Sequence, residues 1–249
     1  MTALPSLAAA RPAAHPTAPG QQPFAHFGPD PLAGALGEIP AASVEEFTAS
    51  WDDLPPDAYL GTDTPYRFRR YSSFRLHGDR LERLPHAAFF QDKAVNKVNG
   101  GVDRLFAPMT DAVANGAALR AVVRTLRERL PGPADGIDTC GVHQIRVTAT
   151  ADAEGRPAPE GVHQDGHAYV GQVLIRRQDV EGAESCLYDL QGQPVHRALL
   201  TEPWETIVLD DRRVLHDVSA IRPAAGVDRG IRDMLLVDFF SGVATAPQT

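Results

Sequence analysis

The sequence is poor in cysteine and lacks a long apolar run. Only Cys140 and Cys186 occur in 249 residues, which is too few for a disulfide framework or a cysteine zinc site. No apolar stretch approaches the ~20 residues that a membrane-spanning helix needs. The N-terminus also lacks the basic start and continuous apolar stretch of a signal peptide. These absences predict a cytoplasmic protein that does not enter a membrane.

Positive charge is also scarce. The chain has 24 Lys and Arg residues against 32 Asp and Glu residues, which gives a formal net charge of −8. Surfaces that bind nucleic acid or anionic lipid are basic, so this charge balance argues against both classes of partner. The sequence also lacks a Walker loop, a G-x-G-x-x-G fingerprint and a G-x-S-x-G elbow, so it carries no nucleotide-binding or serine-hydrolase signature.

The N-terminal part of the chain differs in composition from the rest. Residues 1–40 are dominated by Ala, Pro and Gly, and such a segment buries too little apolar surface to offset its ordering entropy. We therefore expect a flexible tail over 1–40 and a single domain over 41–249. Ser43-Val-Glu-Glu46 has the form of a capping box and predicts a helix through Leu54. Apolar residues at three- and four-residue spacing predict another helix from about Thr110 to Leu130.

Strand-like segments dominate the C-terminal half. From Gly141 onward, short β-prone runs alternate with turns, and an earlier segment predicts two strands around His77-Gly78-Asp79. Short, frequent strands without helices between them indicate antiparallel pairing in a sandwich or barrel. The predicted fold is therefore mainly β with flanking helices, on a double-stranded β-helix core, the jelly roll also seen in cupins.

The pattern H-x-D occurs twice and has two different interpretations. His77-Gly78-Asp79 has the composition of a hairpin turn. His163-Gln164-Asp165 precedes a strand-like run, and in an extended chain positions i and i+2 point to the same side with Cα atoms ~6.6 Å apart. Imidazole and carboxylate can then converge on one cation, whereas on a helix they would diverge. The second copy is the candidate metal site.

A metal site needs a third ligand, and His216 is the best-placed candidate. It lies in the late strand segment RRVLHDVSAI, while His196 and His143 are alternatives on other predicted strands. Two histidines and one carboxylate form the facial triad of non-haem Fe(II) oxygenases, which leaves coordination positions open. The H-E-x-x-H helix motif of many zinc hydrolases is absent.

An arginine at the start of the last predicted strand is a candidate anion ligand. Arg232 lies in RGIRDMLLVDFF, and an inward arginine there would be costly to bury without an anionic partner. Its planar fork suits a carboxylate held at two points. Arg229 competes for this role, and an exposed charge at a strand end is the ordinary alternative for either residue.

Taken together, these segments resemble a known family. GVHQIRVTAT, PEGVHQDGH, LDDRRVLHDVSAI and IRDMLLVDF are similar to the bacterial Fe(II)/2-oxoglutarate dioxygenases that hydroxylate free amino acids, the isoleucine 4-hydroxylase family. The resemblance continues through YRFRRYSSF and FFQDKAVNKVNGGVDRLF and covers residues from about 60 to 240.

The resemblance implies Fe(II), 2-oxoglutarate and O2 as cofactor and co-substrates. His163, Asp165 and His216 would then be the iron ligands, and Arg232 would hold the distal carboxylate of 2-oxoglutarate. An H-Q-x-R strand shared with the family makes His143, Gln144 and Arg146 candidates for the pocket wall.

The implied substrate is a small molecule, a free L-amino acid with an aliphatic side chain. Arg146 is the candidate for its carboxylate, with a structural ion pair inside the sandwich as the alternative for this residue. Glu160 or a backbone carbonyl is the candidate for its ammonium group, and Gln144 shares a strand face with Arg146 as a further substrate-contact candidate. The loop from Ala151 to Val162 leads into the triad and could close over the substrate.

Three other functions fit parts of the pattern. The same chemistry could act on a carrier-bound or peptidyl residue in natural-product biosynthesis. A cupin-like hydrolase or isomerase could use zinc or manganese in the same triad, although such an enzyme has no need of Arg232. A non-catalytic sandwich could bind a small acid as a sensor, but it would not need open coordination positions.

Overall fold

The computed structural model describes residues 21–60, 64–91, 93 and 100–242. The helices are α1 Asp30–Gly37, α2 Ala41–Ala49, α3 Asp111–Ala114 and α4 Ala117–Arg127, and a 3-10 turn Ser50–Asp53 follows α2. The strands are β1 Phe24–Phe27, β2 Arg67–His77, β3 Arg80–Arg83, β4 Thr139–Thr150, β5 Tyr169–Gln178, β6 Val180–Gly182, β7 Glu184–Tyr188, β8 Pro194–Leu199, β9 Thr206–Asp210, β10 Leu215–Val218, β11 Ile221–Pro223 and β12 Arg229–Phe240.

Within the described residues, the β structure consists of one large sheet and two small sheets. The large sheet has the strand order β1-β9-β5-β12-β4-β2-β3, and the small sheets are β10-β7-β8 and β11-β6. The pairings between these strands are antiparallel. The predicted jelly-roll class, mainly β with flanking helices, is confirmed.

The two faces of the large sheet have different coverings. Leu119, Val122 and Leu126 of α4 pack in one apolar cluster with Val142 of β4 and Val237 of β12. The opposite face packs against the small sheets, in separate clusters of apolar residues from β5, β7, β9 and β12 and from β4, β6 and β11. The helices therefore lie outside the sandwich, and the space between the sheets is left for a site.

Strand alternation decides which side chains enter that space. Because successive residues of a strand point to opposite faces, His143 and Ile145 of β4 face the inner side, while Gln144 and Arg146 face the helices. On β12, Arg232 and Met234 line the inner cavity. The central strands β4 and β12 pair over twelve residues, which fixes these inner positions relative to one another.

The prediction of a flexible tail is wrong for residues 21–40, which contain a strand and a helix. Residues 24–27 form β1, which pairs with β9 at the edge of the large sheet. Leu32 and Leu36 of α1 are buried in the cluster that contains α4. These two leucines supply the apolar surface that the average composition of the segment obscures. Residues 1–20 of the predicted tail lie outside the described residues. Residues 92 and 94–99, in the segment FFQDKAVNKVNGGVDRLF, also lie outside them.

The predicted helices form with different ends. Helix α2 starts after Pro40, whose extended backbone precedes the first turn, and it has no side-chain cap. Ser43 therefore lies inside the first turn and not at the cap. The helix expected from about Thr110 to Leu130 is two helices, because Gly116 has an extended backbone and forms the N-cap of α4. Within the described ranges, no helix is both long and apolar enough to cross a membrane.

Candidate active site

The structure brings His163, Asp165 and His216 together. The backbones of His163 and His216 pair through two hydrogen bonds, of 3.0 and 2.8 Å. Asp165, two residues along, places its Oδ1 3.5 Å from His163 Nε2 and its Oδ2 3.3 Å from His216 Nε2. One possible ligand atom from each side chain lies within 4.8 Å of the others. Among the described residues, this is the group whose donor atoms could hold a metal ion.

The protonation states suit cation binding. Burial by itself would raise the pKa of Asp165, but hydrogen bonds and positive charge from the two imidazoles hold that pKa well below its usual value. Burial lowers the pKa of His216, but the carboxylates of Asp165 and Asp211 outweigh it and raise the pKa to about 10. The Asp165 carboxylate is thus ionised. A divalent cation would replace the proton that the His216 imidazole carries without metal.

Two neighbouring groups hold the donor atoms in place. His163 Nδ1 lies 2.7 Å from the carbonyl oxygen of Gly161. In the neutral ring Nδ1 therefore carries the proton, and the lone pair of Nε2 is available to a metal ion. Asp211 accepts the backbone N–H groups of Asp165, Gly166 and His167 at 2.9, 2.7 and 3.0 Å. This carboxylate fixes the turn that carries Asp165. This role of Asp211 was not expected from the sequence.

A cavity opens beside the three side chains, between the large sheet and β10. Part of its wall is apolar, with residues from β4, β10 and β12, namely Ile145, Val147, Val218, Met234 and Leu236. In the described part of the chain, the charged residues of the wall are four arginines and three carboxyl groups, namely Arg67, Arg69, Arg104, Arg232, Glu160, Asp165 and Asp238. A polar, partly apolar cavity next to three possible metal ligands is the form of a small-molecule site.

Arg232 lies in this cavity as the sequence analysis expected. Its side chain is buried, and within the described part of the chain its Nε and Nη2 have no hydrogen-bond partner. Burial and the nearby Arg177 lower its pKa to about 9. Arg229, the competing candidate, is exposed. A buried guanidinium without an anion fits a site for a ligand carboxylate.

The structure does not bring Gln144 and Arg146 to the cavity, which corrects the expectation that they contact substrate. Gln144 Nε2 donates to Ser50 Oγ at 2.6 Å. Arg146 donates to both oxygens of Asp233, at 2.7 and 2.8 Å, and also to Asp52. Both face the helices because they sit one position out of phase with the inward residues of β4.

The remaining candidates divide between the cavity and the surface. Glu160 and His143 line the cavity. His196 lies away from the triad and bonds His26 near the surface. His77 is the last residue of β2, and Asp79 lies in the turn between β2 and β3, where Gly78 has a φ of 58°. The first H-x-D copy is therefore a hairpin, as predicted.

The arginines of the cavity on β2 and in the segment between β3 and α3 were not expected from the sequence. Arg67 and Arg69 line the cavity, and their i, i+2 spacing in RFRRY places them on one face of a strand. That spacing was a usable signal. Arg104 reaches the cavity from a loop, and no local pattern marks it.

The model of the 2OG-Fe dioxygenase family matches residues 48–238 of the chain. Among solved structures, the chain is similar to a bsmA homologue from Methylobium petroleophilum. The two sequences are 30% identical, the match covers 92% of each chain, and the TM-score is 0.74. No match was found among curated proteins.

Two further structures share the fold. IDO from Bacillus thuringiensis is 20% identical over 89% of this chain and 95% of that chain, with a TM-score of 0.71. TqaL, described as an Fe(II)/α-ketoglutarate-dependent dioxygenase, is 17% identical over 90% of this chain and 84% of that chain, with a TM-score of 0.67. At these identities the likeness concerns the fold alone.

Proposed function

The chain belongs to the 2OG-Fe dioxygenase family, and we propose that it hydroxylates an unactivated carbon of a free L-amino acid with an aliphatic side chain. Membership of the family implies Fe(II), 2-oxoglutarate and O2. The observation that carries the proposal is the convergence of His163, Asp165 and His216 beside the buried Arg232, whose Nε and Nη2 have no hydrogen-bond partner among the described residues.

Each of these four side chains has a distinct part in the proposal. His163 and His216 would bind the iron through Nε2 and Asp165 through its carboxylate, which is the donor set of the facial triad. Arg232 would hold the distal carboxylate of 2-oxoglutarate with its two unpartnered nitrogens. Bound Fe(II) supplies the redox chemistry, in which O2 converts 2-oxoglutarate into succinate and CO2 and one oxygen atom becomes the product hydroxyl.

The charges at the cavity wall support a zwitterionic substrate. Fe(II), Asp165, doubly charged 2-oxoglutarate and Arg232 cancel in formal charge. Among the described residues, the other charged groups at the wall, together with the buried Asp57 that pairs with Arg67, are three arginines and three carboxyl groups: Arg67, Arg69, Arg104, Asp57, Glu160 and Asp238. A ligand of zero net charge with one carboxylate and one ammonium group, such as a free amino acid, keeps this balance.

The apolar wall supports an aliphatic side chain. Ile145, Val218 and Leu236 line the cavity near the triad and would exclude water from the reacting carbon. Glu160 lies in the same wall and is the proposed partner of the substrate ammonium group.

Succinate release from purified protein tests the proposal. With Fe(II), 2-oxoglutarate and O2 present, we expect one or more free aliphatic amino acids to stimulate succinate formation and to gain one oxygen atom. Stimulation only by a carrier-bound or peptidyl residue would show that the substrate is not a free amino acid and would favour the alternative function in natural-product biosynthesis. Turnover that requires neither 2-oxoglutarate nor O2 would contradict the dioxygenase and favour a hydrolase or isomerase.

A further inference from the structure

We propose that Arg69 and Arg104 form a subsite for the substrate carboxylate, distinct from Arg232, and that His143 holds Arg69 in position. The inference rests on the proposed function, since it concerns the amino acid that enters the same cavity. Arg69 and Arg104 take the recognition role that was expected of Arg146.

Arg69 is a buried guanidinium with incomplete pairing. Its Nη2 lies 2.6 Å from His143 Nδ1, and its Nη1 is 3.8 Å from Asp57 Oδ2, beyond hydrogen-bond distance. Its Nε has no hydrogen-bond partner among the described residues. Asp57 already accepts a hydrogen bond from Arg67 Nε at 2.8 Å. Arg69 therefore keeps a positive charge that its surroundings neutralise only in part.

Arg104 is the second cation of the proposed subsite and has no ion-pair partner among the described residues, although the negative charges of Glu160, Asp57 and Asp165 act on it from a distance. Its Nη2 donates to Gln91 Oε1, a neutral acceptor, and its Nε has no partner in the described part of the chain. The guanidinium carbons of Arg69 and Arg104 lie 4.0 Å from the Phe106 ring centroid and 4.9 Å from the Phe89 ring centroid, respectively. Burial lowers the pKa of both arginines, to about 9 for Arg69. An incoming carboxylate would supply the missing counter-charge.

The position of the pair separates it from the proposed 2-oxoglutarate site. Arg69 pairs with Ile145 of β4, and Ile145 pairs in turn with Met234 of β12, so Arg69 lies two strands away from the strand that carries Arg232. Neighbouring strands are about 4.8 Å apart, so this separation is about 10 Å. Two anionic groups can therefore bind at the two places at once.

Gln91 connects the proposed subsite to the metal ligand. It accepts from Arg104 and donates from Nε2 to Asp165 Oδ1 at 3.2 Å. Two hydrogen bonds of about 3 Å and one amide place the Arg104 fork roughly 8 Å or less from the Asp165 carboxylate. An amino acid whose carboxylate binds there can reach the metal with a side chain of a few carbons.

His143 orients Arg69 from behind. Burial and the charge of Arg69 lower the pKa of His143 to about 4, so the ring is neutral. In the tautomer that fits both neighbours, Nδ1 accepts from Arg69 and Nε2–H donates to Asp238 Oδ2 at 3.0 Å. The ring also stacks on Tyr71, with centroids 4.4 Å apart. His143 is a positioning residue.

Binding measurements under anaerobic conditions test the subsite. The probes are L-isoleucine and 2-methylbutylamine, which is the same molecule without the carboxylate, each titrated into protein loaded with Fe(II) and 2-oxoglutarate. The readout is the change in the visible metal-to-ligand charge-transfer band. We expect Arg69→Gln and Arg104→Gln each to weaken L-isoleucine binding about 10- to 100-fold. Their affinity for 2-oxoglutarate should stay within about threefold of wild type.

The amine and a matched variant provide the controls. We expect 2-methylbutylamine to bind wild type and both variants equally weakly, because it has no group for the arginines. Arg70→Gln should behave as wild type, since Arg70 is adjacent on β2 but bonds Pro108 and Asp53 outside the cavity. Circular dichroism and thermal unfolding confirm that each variant is folded.

His143 variants separate positioning from packing. Asn at this position can place its Oδ1 near the former Nδ1, so His143→Asn should retain most L-isoleucine binding, while His143→Leu should lose it and raise KM with little change in kcat.

Four results would be decisive against one proposal or the other. If wild type forms the band but does not respond to L-isoleucine, or if Arg69→Gln and Arg104→Gln bind it normally, the subsite is wrong. If the two His143 variants behave alike, His143 has no positioning role. If wild type forms no band, the proposed function fails instead.

Discussion

Arg232 is a buried cation whose surroundings do not neutralise it. Its neighbour Arg177 is also positive. Arg232 lines the cavity, and its Nε and Nη2 have no hydrogen-bond partner within the described ranges. A protein that needed only stability would gain from an apolar residue here, because an unpaired buried charge lowers the free energy of unfolding. The side chain is therefore best explained by an anionic ligand.

Replacing this arginine should separate stability from binding. We expect Arg232→Met to leave the free energy of unfolding of the metal-free protein equal or higher, while 2-oxoglutarate affinity falls about 10- to 100-fold. Urea unfolding and 2-oxoglutarate titration measure the two effects. Arg229→Met, at an exposed position of the same strand, is the control and should change neither. Unchanged 2-oxoglutarate affinity in Arg232→Met would contradict its assigned role.

Single residues also limit what a sequence can tell. His77-Gly78-Asp79 and His163-Gln164-Asp165 share a pattern, and turn chemistry was enough to assign the first copy to a hairpin. The second copy could be recognised only because a strand follows it and a distant histidine was available. The role of Asp211 could not be predicted, because a carboxylate that accepts hydrogen bonds from backbone N–H groups leaves no periodic pattern in the sequence.

At the scale of elements, strand register decided what the sequence could predict. Strand β4 was correctly expected, but the side chains assigned to substrate, Gln144 and Arg146, lie on the wrong face. A shift of one residue exchanges the two faces of a strand, and β4 is buried on both sides, so its own residues do not reveal which side holds the cavity. Pairing with β12 settles the faces, and that pairing is a long-range property.

Strand β1 and helix α1 turn the expected tail into part of the core. Leu32 is fully buried against the cluster around α4, and sparse apolar residues are enough because each is completely enclosed. The Ala, Pro and Gly content of the segment concealed this contribution.

Truncating Leu32 tests whether residues 21–40 belong to the folded unit. We expect Leu32→Ala to lower the free energy of unfolding by about 2–5 kcal/mol, through lost burial and the cavity that remains. Leu190→Ala removes the same atoms from an exposed position and should change it by less than about 0.5 kcal/mol. Urea denaturation compares the two. If Leu32→Ala and Leu190→Ala both change the free energy of unfolding by equal, small amounts, residues 21–40 are not part of the folded unit.

At the scale of the whole molecule, the site is assembled from distant parts of the chain. Arg69 comes from an N-terminal strand, Arg104 from a loop, Asp165 from the turn before β5, and His216 and Arg232 from the last strands. The jelly roll folds these segments around one cavity, while helices cover the other face of the large sheet. Strand and turn patterns could predict the class of fold and three converging side chains. Of the cavity wall, Arg232, Glu160 and His143 were expected, but Arg67, Arg69 and Arg104 were not.

The most direct test of the central claim is anaerobic titration with Fe(II) and 2-oxoglutarate, followed by the visible metal-to-ligand charge-transfer band. Wild type and His77→Ala, which alters the hairpin copy of H-x-D, should both form the band. His216→Ala should not, because it removes one of the three proposed ligands. A normal band in His216→Ala, or no band in the wild-type protein, would contradict the account.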